Sequence, residues 1–218
     1  MSHISKAKVT ILDYGMCNLF NVVRAFEHSG ADVQVTDDPS KVSSAERLVV
    51  PGVGAFKDSI RELTERGFGD AIRAFVHAQR PLFGICVGMQ ILFDSSEEFG
   101  EHRGLSILPG RVQAVPSATV MGESQRVPHI GWNHLVPADG RTWQGTMLAP
   151  FEGKSPAVYF VHSFSAVPKC ETDRLADCIY GGHHICAAVA RDNVMATQFH
   201  PERSGDIGLA IIRQYLSL

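Results

Sequence analysis

Four short apolar runs in the first half of the chain limit what it can fold into. Val9–Leu12, Val33–Thr36, Arg47–Val50 and Leu82–Ile85 are each four residues long and rich in Val, Ile and Leu. Without polar alternation, such runs suit strands buried on both faces, as in a parallel sheet. Helical patterns lie between them. Asn18 stands where an N-cap would, Leu19, Val22, Val23 and Phe26 recur at helical spacing, and Gly30 follows at the usual C′ position. Phe56–Glu65, Asp70–Gln79 and Val87–Asp94 carry further helical patterns. Strands alternating with helices imply βαβ crossovers and a doubly wound, mostly parallel α/β sheet.

After about Gly104, Gly and Pro punctuate shorter segments. Arg111–Val115, Trp132–Val136, Ala157–Phe164, Ala176–Tyr180, Ile185–Arg191 and Val194–Phe199 read as antiparallel strands added to the same body. Ser204 is expected to cap a last helix whose Ile207, Ile211, Tyr215 and Leu218 share one face. With no repeat, low-complexity tract or linker, residues 1–218 read as one domain. That length buries a core without disulfide or metal staples.

Charge and cysteine usage narrow the function. Twenty Lys and Arg against 23 Asp and Glu leave a net charge of −3, so no basic field favours nucleic acid or a membrane surface. The longest apolar stretch, Pro81–Phe93, is too short to span a bilayer and is interrupted by Gln90. Residues 1–10 carry no apolar leader core, so the expected location is cytoplasmic. The five cysteines form no CxxC pair, and the even spacing of Cys170, Cys178 and Cys186 lacks the tight pairs of a zinc site. Neither metal nor cofactor is expected.

The segment Gly84-Ile85-Cys86-Val87-Gly88 sits where a buried strand should end and a helix begin. Small residues two before and two after Cys86 allow the strained turn of a nucleophile elbow. A buried, inert cysteine in a Gly-rich strand end is the competing reading. A reactive thiol needs a base, and the base an orienting acceptor. His200-Pro201-Glu202 supplies both residue types directly after a strand-like run, at the edge where the elbow should lie. Acyl chemistry also needs donors for the developing oxyanion. The N–H of Val87 is one, and Pro51-Gly52-Val53-Gly54 at the third strand's end is the expected source of the second. The Gly52–Val53 peptide is the expected switch, because its N–H completes the hole only if the peptide plane turns inward. The third Gly of a dinucleotide fingerprint is missing, with Lys57 in its place, and there is no Walker sequence.

Together these phrases resemble the class I glutamine amidotransferases, and most of all the glutaminase subunits of imidazole glycerol phosphate synthase. The resemblance rests on Asp13-Tyr14-Gly15 with Asn18, PGVGAF from Pro51, GICVGMQILF from Gly84, PHIGWN from Pro128, YFVHS from Tyr159 and QFHPERSG from Gln198. They run in family order over essentially the whole chain. The resemblance implies that Cys86 attacks the side-chain amide of L-glutamine, that His200 protonates the leaving ammonia and activates water, and that Glu202 orients the imidazole. It implies that Gln90, with the Ser163–Phe164 backbone, holds the substrate's amino-acid end. It also implies a heterodimer with a (β/α)8-barrel synthase subunit that takes the ammonia. Asn18, Trp132 and Arg203 are expected to meet that partner. The sequence departs from the family pattern at Cys17, usually Gly, Ile130, usually Met, Phe164, usually Tyr, and Arg203, usually Lys. Other readings are a second-copy relative feeding amidino-sugar synthesis, an amidotransferase of another pathway, and a regulatory module without activity.

Overall fold

The computed structural model describes residues 6–218. The leader reading of residues 1–10 therefore lies partly outside the described residues. In the first half the chain runs β1 (Lys8–Leu12), α1 (Leu19–His28), β2 (Asp32–Thr36), β3 (Leu48–Gly52), α2 (Phe56–Glu65), α3 (Phe68–His77), β4 (Leu82–Cys86) and α4 (Val87–Gln90). Then follow β5 (Phe93–Ser96), β6 (His102–Arg103), β7 (Leu108–Ala114), β8 (His129–Pro137), β9 (Ala157–His162) and β10 (Phe164–Pro168). The chain closes with β11 (Arg174–Tyr180), β12 (His183–Arg191), β13 (Val194–Thr197) and α5 (Gly205–Ser217).

Nine strands form one sheet in the order β2-β1-β3-β4-β13-β12-β11-β8-β9, and four form a second in the order β10-β7-β5-β6. The first five strands of the large sheet are parallel and the rest antiparallel. From β1 the chain steps one way to β2 and from β3 the other way to β4, so right-handed crossovers put α1 and the α2–α3 pair on opposite faces. The order reverses beside β1, which opens a crevice at the carboxyl ends of β1 and β3. Phe26 of α1, Phe83 of β4 and Tyr215 of α5 pack as one aromatic cluster with centroids 4.9–6.5 Å apart, which seats both helices on one face.

The sequence-based expectations need five corrections. Val33–Thr36 is not buried on both faces: β2 is an edge strand, with Gln34 and Val35 exposed and Val33 half-buried. The helix expected over Val87–Asp94 ends at Gln90. The Ile91, Leu92 and Phe93 carbonyls accept from Leu105, Ser106, Ile107 and Leu108 instead of continuing the helix, and β5 begins there. Ala157–Phe164 breaks at Ser163, whose carbonyl accepts from Val115, and the chain crosses there from the large sheet to the small one. Val194–Thr197 is antiparallel only to β12 and parallel to β4. Asn18 and Ser204 hold the N-cap positions, but neither side chain caps. The Ser204 hydroxyl instead donates to the His200 carbonyl at 2.6 Å and accepts from Tyr159 N–H at 3.0 Å.

Candidate active site

The elbow forms as its spacing requires. Cys86 has φ +56° and ψ −114°, a left-handed strain unusual for a residue with a side chain. Two close approaches, one to backbone and one to a side chain, hold it there. A Cβ on Gly88 would lie 1.8 Å from the Val50 carbonyl oxygen, and one on Gly84 3.0 Å from Ala196 Cβ. The helix after Cys86 is a single turn, so its macrodipole is small and any help to a thiolate comes from local N–H groups.

Cys86 opens onto a cavity of about 400 Å³. Val87, Gln90, Ser163, Phe164, His200 and Glu202 line it, and Asn18, Val53 and Arg203 stand at its walls. Gly52 and Trp132 are not among the lining residues. Gly52 lies buried behind the elbow, where a Cβ would come 2.6 Å from Gly88 N and 2.8 Å from Tyr14 Oη. Its smallness serves this packing, and the left-handed residue of the segment is Gly54, at φ +90°.

His200 Nδ1 donates to Glu202 Oε1 at 2.8 Å, leaving Nε2 for the cavity. The His200 Nε2 and Glu202 Oε2 atoms have no hydrogen-bond partner. Burial alone lowers the His200 pKa, but Cys86 and Glu202 together outweigh it and push it up to about 10. The backbone of His200 is pinned by its N–H to the Tyr159 carbonyl at 3.0 Å. Gln90 Nε2 donates to the Phe164 carbonyl and to Gln198 Oε1, both at 2.9 Å. Gln198, so oriented, directs its Nε2 at Cys86 Sγ, 3.6 Å away.

The expected second oxyanion donor is turned away in this structure. Val53 N–H donates to the Met16 carbonyl at 2.7 Å, outside the site, while Tyr14 Oη donates to the neighbouring Pro51 carbonyl at 2.7 Å. At the mouth, Arg203 lies over the Tyr159 ring at 4.4 Å and Trp132 meets the same ring edge-on at 6.1 Å. Trp132, Ile130 and Phe20 are each more than half exposed.

Sequence reasoning missed three residues at the cavity. His162 and Glu98 line it, and Gln198 reaches the thiol from below. A Gln closing an apolar strand was a readable signal. Glu98 had none, because Ser95-Ser96-Glu97-Glu98 looks like any solvated loop. In the structure its Oε2 accepts from Phe56 N–H at 2.6 Å, at the start of α2.

The model of the family described as "Glutamine amidotransferase class-I" matches residues 10–215. The chain belongs to the class I glutamine amidotransferases. Imidazole glycerol phosphate synthase subunit HisH 1 of Legionella pneumophila (strain Lens) is 46% identical over 213 residues, 97% of this chain and 100% of that protein. The subunit HisH of Syntrophotalea carbinolica is 46% identical over 209 residues, 95% of this chain and 98% of that one. Among solved structures, PurLQS from Thermotoga maritima matches with a TM-score of 0.72 at 18% identity, covering 98% of this chain and 99% of its own. A structure described as glutamine amidotransferase matches at 0.70 and 20% identity, covering 96% and 99%. These likenesses carry the amidotransferase fold. No helix among the described residues is long and apolar enough to cross a membrane.

Proposed function

We propose that this amidotransferase is the glutaminase subunit of imidazole glycerol phosphate synthase in histidine biosynthesis, acting as one domain in the cytoplasm with a (β/α)8-barrel partner. The reading rests on full-length identity to such subunits and on one observation: Cys86 and the His200–Glu202 pair face one cavity.

Cys86 Sγ gives its proton to His200 Nε2 and attacks the side-chain carbonyl carbon of L-glutamine. His200, held by Glu202 with Nε2 toward the cavity, hands a proton to the departing ammonia, leaving a thioester on Cys86. The same Nε2 then takes a proton from water, which attacks the thioester and releases glutamate. Both N–H groups of Gln90 are spent on Phe164 and Gln198, so its Oε1 is left for a donor, the substrate's α-ammonium, with the Glu98 carboxylate on the same cavity wall. The chemistry needs neither metal nor cofactor. Ammonia passes to the barrel subunit, which meets the exposed rim of Phe20, Ile130 and Trp132 near Asn18 and Arg203.

The Val53 N–H, committed to the Met16 carbonyl, is withheld from the oxyanion, which leaves Val87 N–H as its one proposed donor and keeps the site at rest. Loss of one such donor costs roughly 10²–10³ in kcat. Glutamate release is therefore slow from the isolated chain and rises by about that factor in kcat when the barrel partner carries its ligand. A glutaminase assay of the chain alone, with the partner, and with the liganded partner tests the proposal. Full activity in the isolated chain, or none in the liganded complex, refutes it.

A further inference from the structure

Behind the glutamine site lies a chain of polar side chains that the proposed reaction does not use. His129 and His162, buried on the adjacent strands β8 and β9, join Nδ1 to Nε2 at 3.1 Å. His162 Nδ1 contacts the Phe164 carbonyl at 2.9 Å, and Asn133 Nδ2 lies 3.4 Å from His129 Nε2.

The direction of every hydrogen in this chain can be derived. Asn133 Oδ1 accepts from the His134 N–H at 2.8 Å and its Nδ2 donates to the Ile179 carbonyl at 2.9 Å, so the amide cannot turn over. Its Nδ2 is thus the donor toward His129 Nε2, which must carry no proton. The His129 proton sits on Nδ1 and points at His162 Nε2, again an acceptor. The His162 proton then sits on Nδ1 and is donated to the Phe164 carbonyl, which can only accept. Burial, the largest cause in each ring, pushes both pKa values down to about 4, so both stay neutral at physiological pH. His129 is clamped flat between Phe160 and Tyr180, with centroids 4.9 and 4.1 Å away.

The chain ends on an atom that matters. The Phe164 carbonyl receives His162 Nδ1–H and Gln90 Nε2–H, which occupies both its lone pairs. It stands one residue beyond Ser163, where the strand leaves one sheet for the other.

We propose that Asn133, His129 and His162 are positioning residues for glutamine, fixing the Phe164 carbonyl and through it the amide of Gln90. This deepens the glutaminase reading and rests on it. Ile130 and Trp132 project from the opposite side of β8, so pressure on that rim bears on the strand that carries the chain.

The test uses the complete enzyme with its liganded barrel partner. His162→Ala should raise the glutamine KM about tenfold while kcat stays within about threefold, the size of one lost orienting hydrogen bond. His162→Asn, whose amide nitrogen takes the place of Nδ1, should recover most of that loss. Asn133→Asp turns the donor at the head of the chain into an acceptor, and should raise KM comparably without opening a cavity. Nitrogen-15 NMR of the histidine rings should show both as Nδ1–H tautomers. An unchanged KM in His162→Ala and Asn133→Asp, an equal fall in kcat without rescue by Asn, or an Nε2–H tautomer on either ring overturns the proposal. If the wild-type complex releases no glutamate, the functional reading fails by itself, and the tautomers still decide whether the chain exists as derived.

Discussion

Gly88→Ala is the sharpest test of how the elbow is held. The added methyl would sit 1.8 Å from the Val50 carbonyl oxygen, with the Val50 carbonyl carbon at 2.8 Å. A relaxed contact is about 3.5 Å, so the elbow and β3 must separate by roughly 1.5 Å. Both contacts are backbone, so no rotamer change relieves them. Overpacking of this kind costs about 3 kcal/mol, which lowers Tm by roughly 6–12 °C in a domain this size. The shift acts directly on Cys86 and Val87, and a misplacement of about 1 Å at reacting groups costs on the order of 10²-fold in rate. The assay is glutamate release by the partner-assembled enzyme, paired with a melting curve of the variant alone. Gly84→Ala is the graded companion: its methyl would meet Ala196 Cβ and the Gly88 carbonyl oxygen at 3.0 Å, so a smaller shift suffices and the losses should be smaller. Near wild-type kcat in Gly88→Ala, with Tm unchanged, would refute the claim that backbone contact positions the nucleophile.

Cys86→Ser should abolish glutamate release while leaving partner binding intact, and a glutamine-analogue alkylator should label Cys86; mass-spectrometric labelling of Cys17 or Cys178 would contradict the assignment. His200→Asn should remove activity, whereas Glu202→Gln, which keeps an acceptor for Nδ1, should retain a measurable part; equal and complete loss in steady-state assays would give Glu202 another role. The folded-state pKa values of His129 and His162, about 4 against an ordinary 6.5, make stability depend on pH. As pH falls the unfolded chain takes up these protons first, so the stabilisation is whole above about pH 6.5 and drains away toward pH 4. Melting curves from pH 7 to 4 should therefore fall less steeply for a His129→Asn, His162→Asn double variant than for the wild type, and parallel curves would count against neutral rings.

The parallel half was legible because burial on both faces leaves a local mark, short apolar runs without polar alternation in β1, β3 and β4. The elbow was legible for a related reason: Gly84 and Gly88 are where backbone passes backbone, and only glycine fits there. What sequence patterns hid was set by distant partners. Ile91, Leu92 and Phe93 continue a helical pattern, and nothing nearby reveals that the Leu105–Leu108 loop takes their carbonyls. Ser163 looks like the middle of a strand until Val115 claims its carbonyl. Gly52 read as a hinge, whereas its contact with Gly88 and Tyr14 makes it a packing residue, and Gly52→Ala would disturb the elbow as much as any peptide turn. Glu98 belongs to the site only because the turn after β5 reaches the start of α2, and the His129–His162 pair only because β8 and β9 set the two rings side by side.

Strand β13 has β4 on one side and β12 on the other, so the residues that precede His200 are inserted into the sheet's interior beside the strand that ends in Cys86. During synthesis the thiol emerges long before its base, and the seam between them closes only when the last segment has left the ribosome and β13 has slotted home. A single domain folds as a unit, so a nascent chain that stops before β13 carries the Cys86 thiol with no His200 to set beside it. On the roles proposed for Cys86 and His200, the competence to hydrolyse glutamine arrives together with completion of the fold.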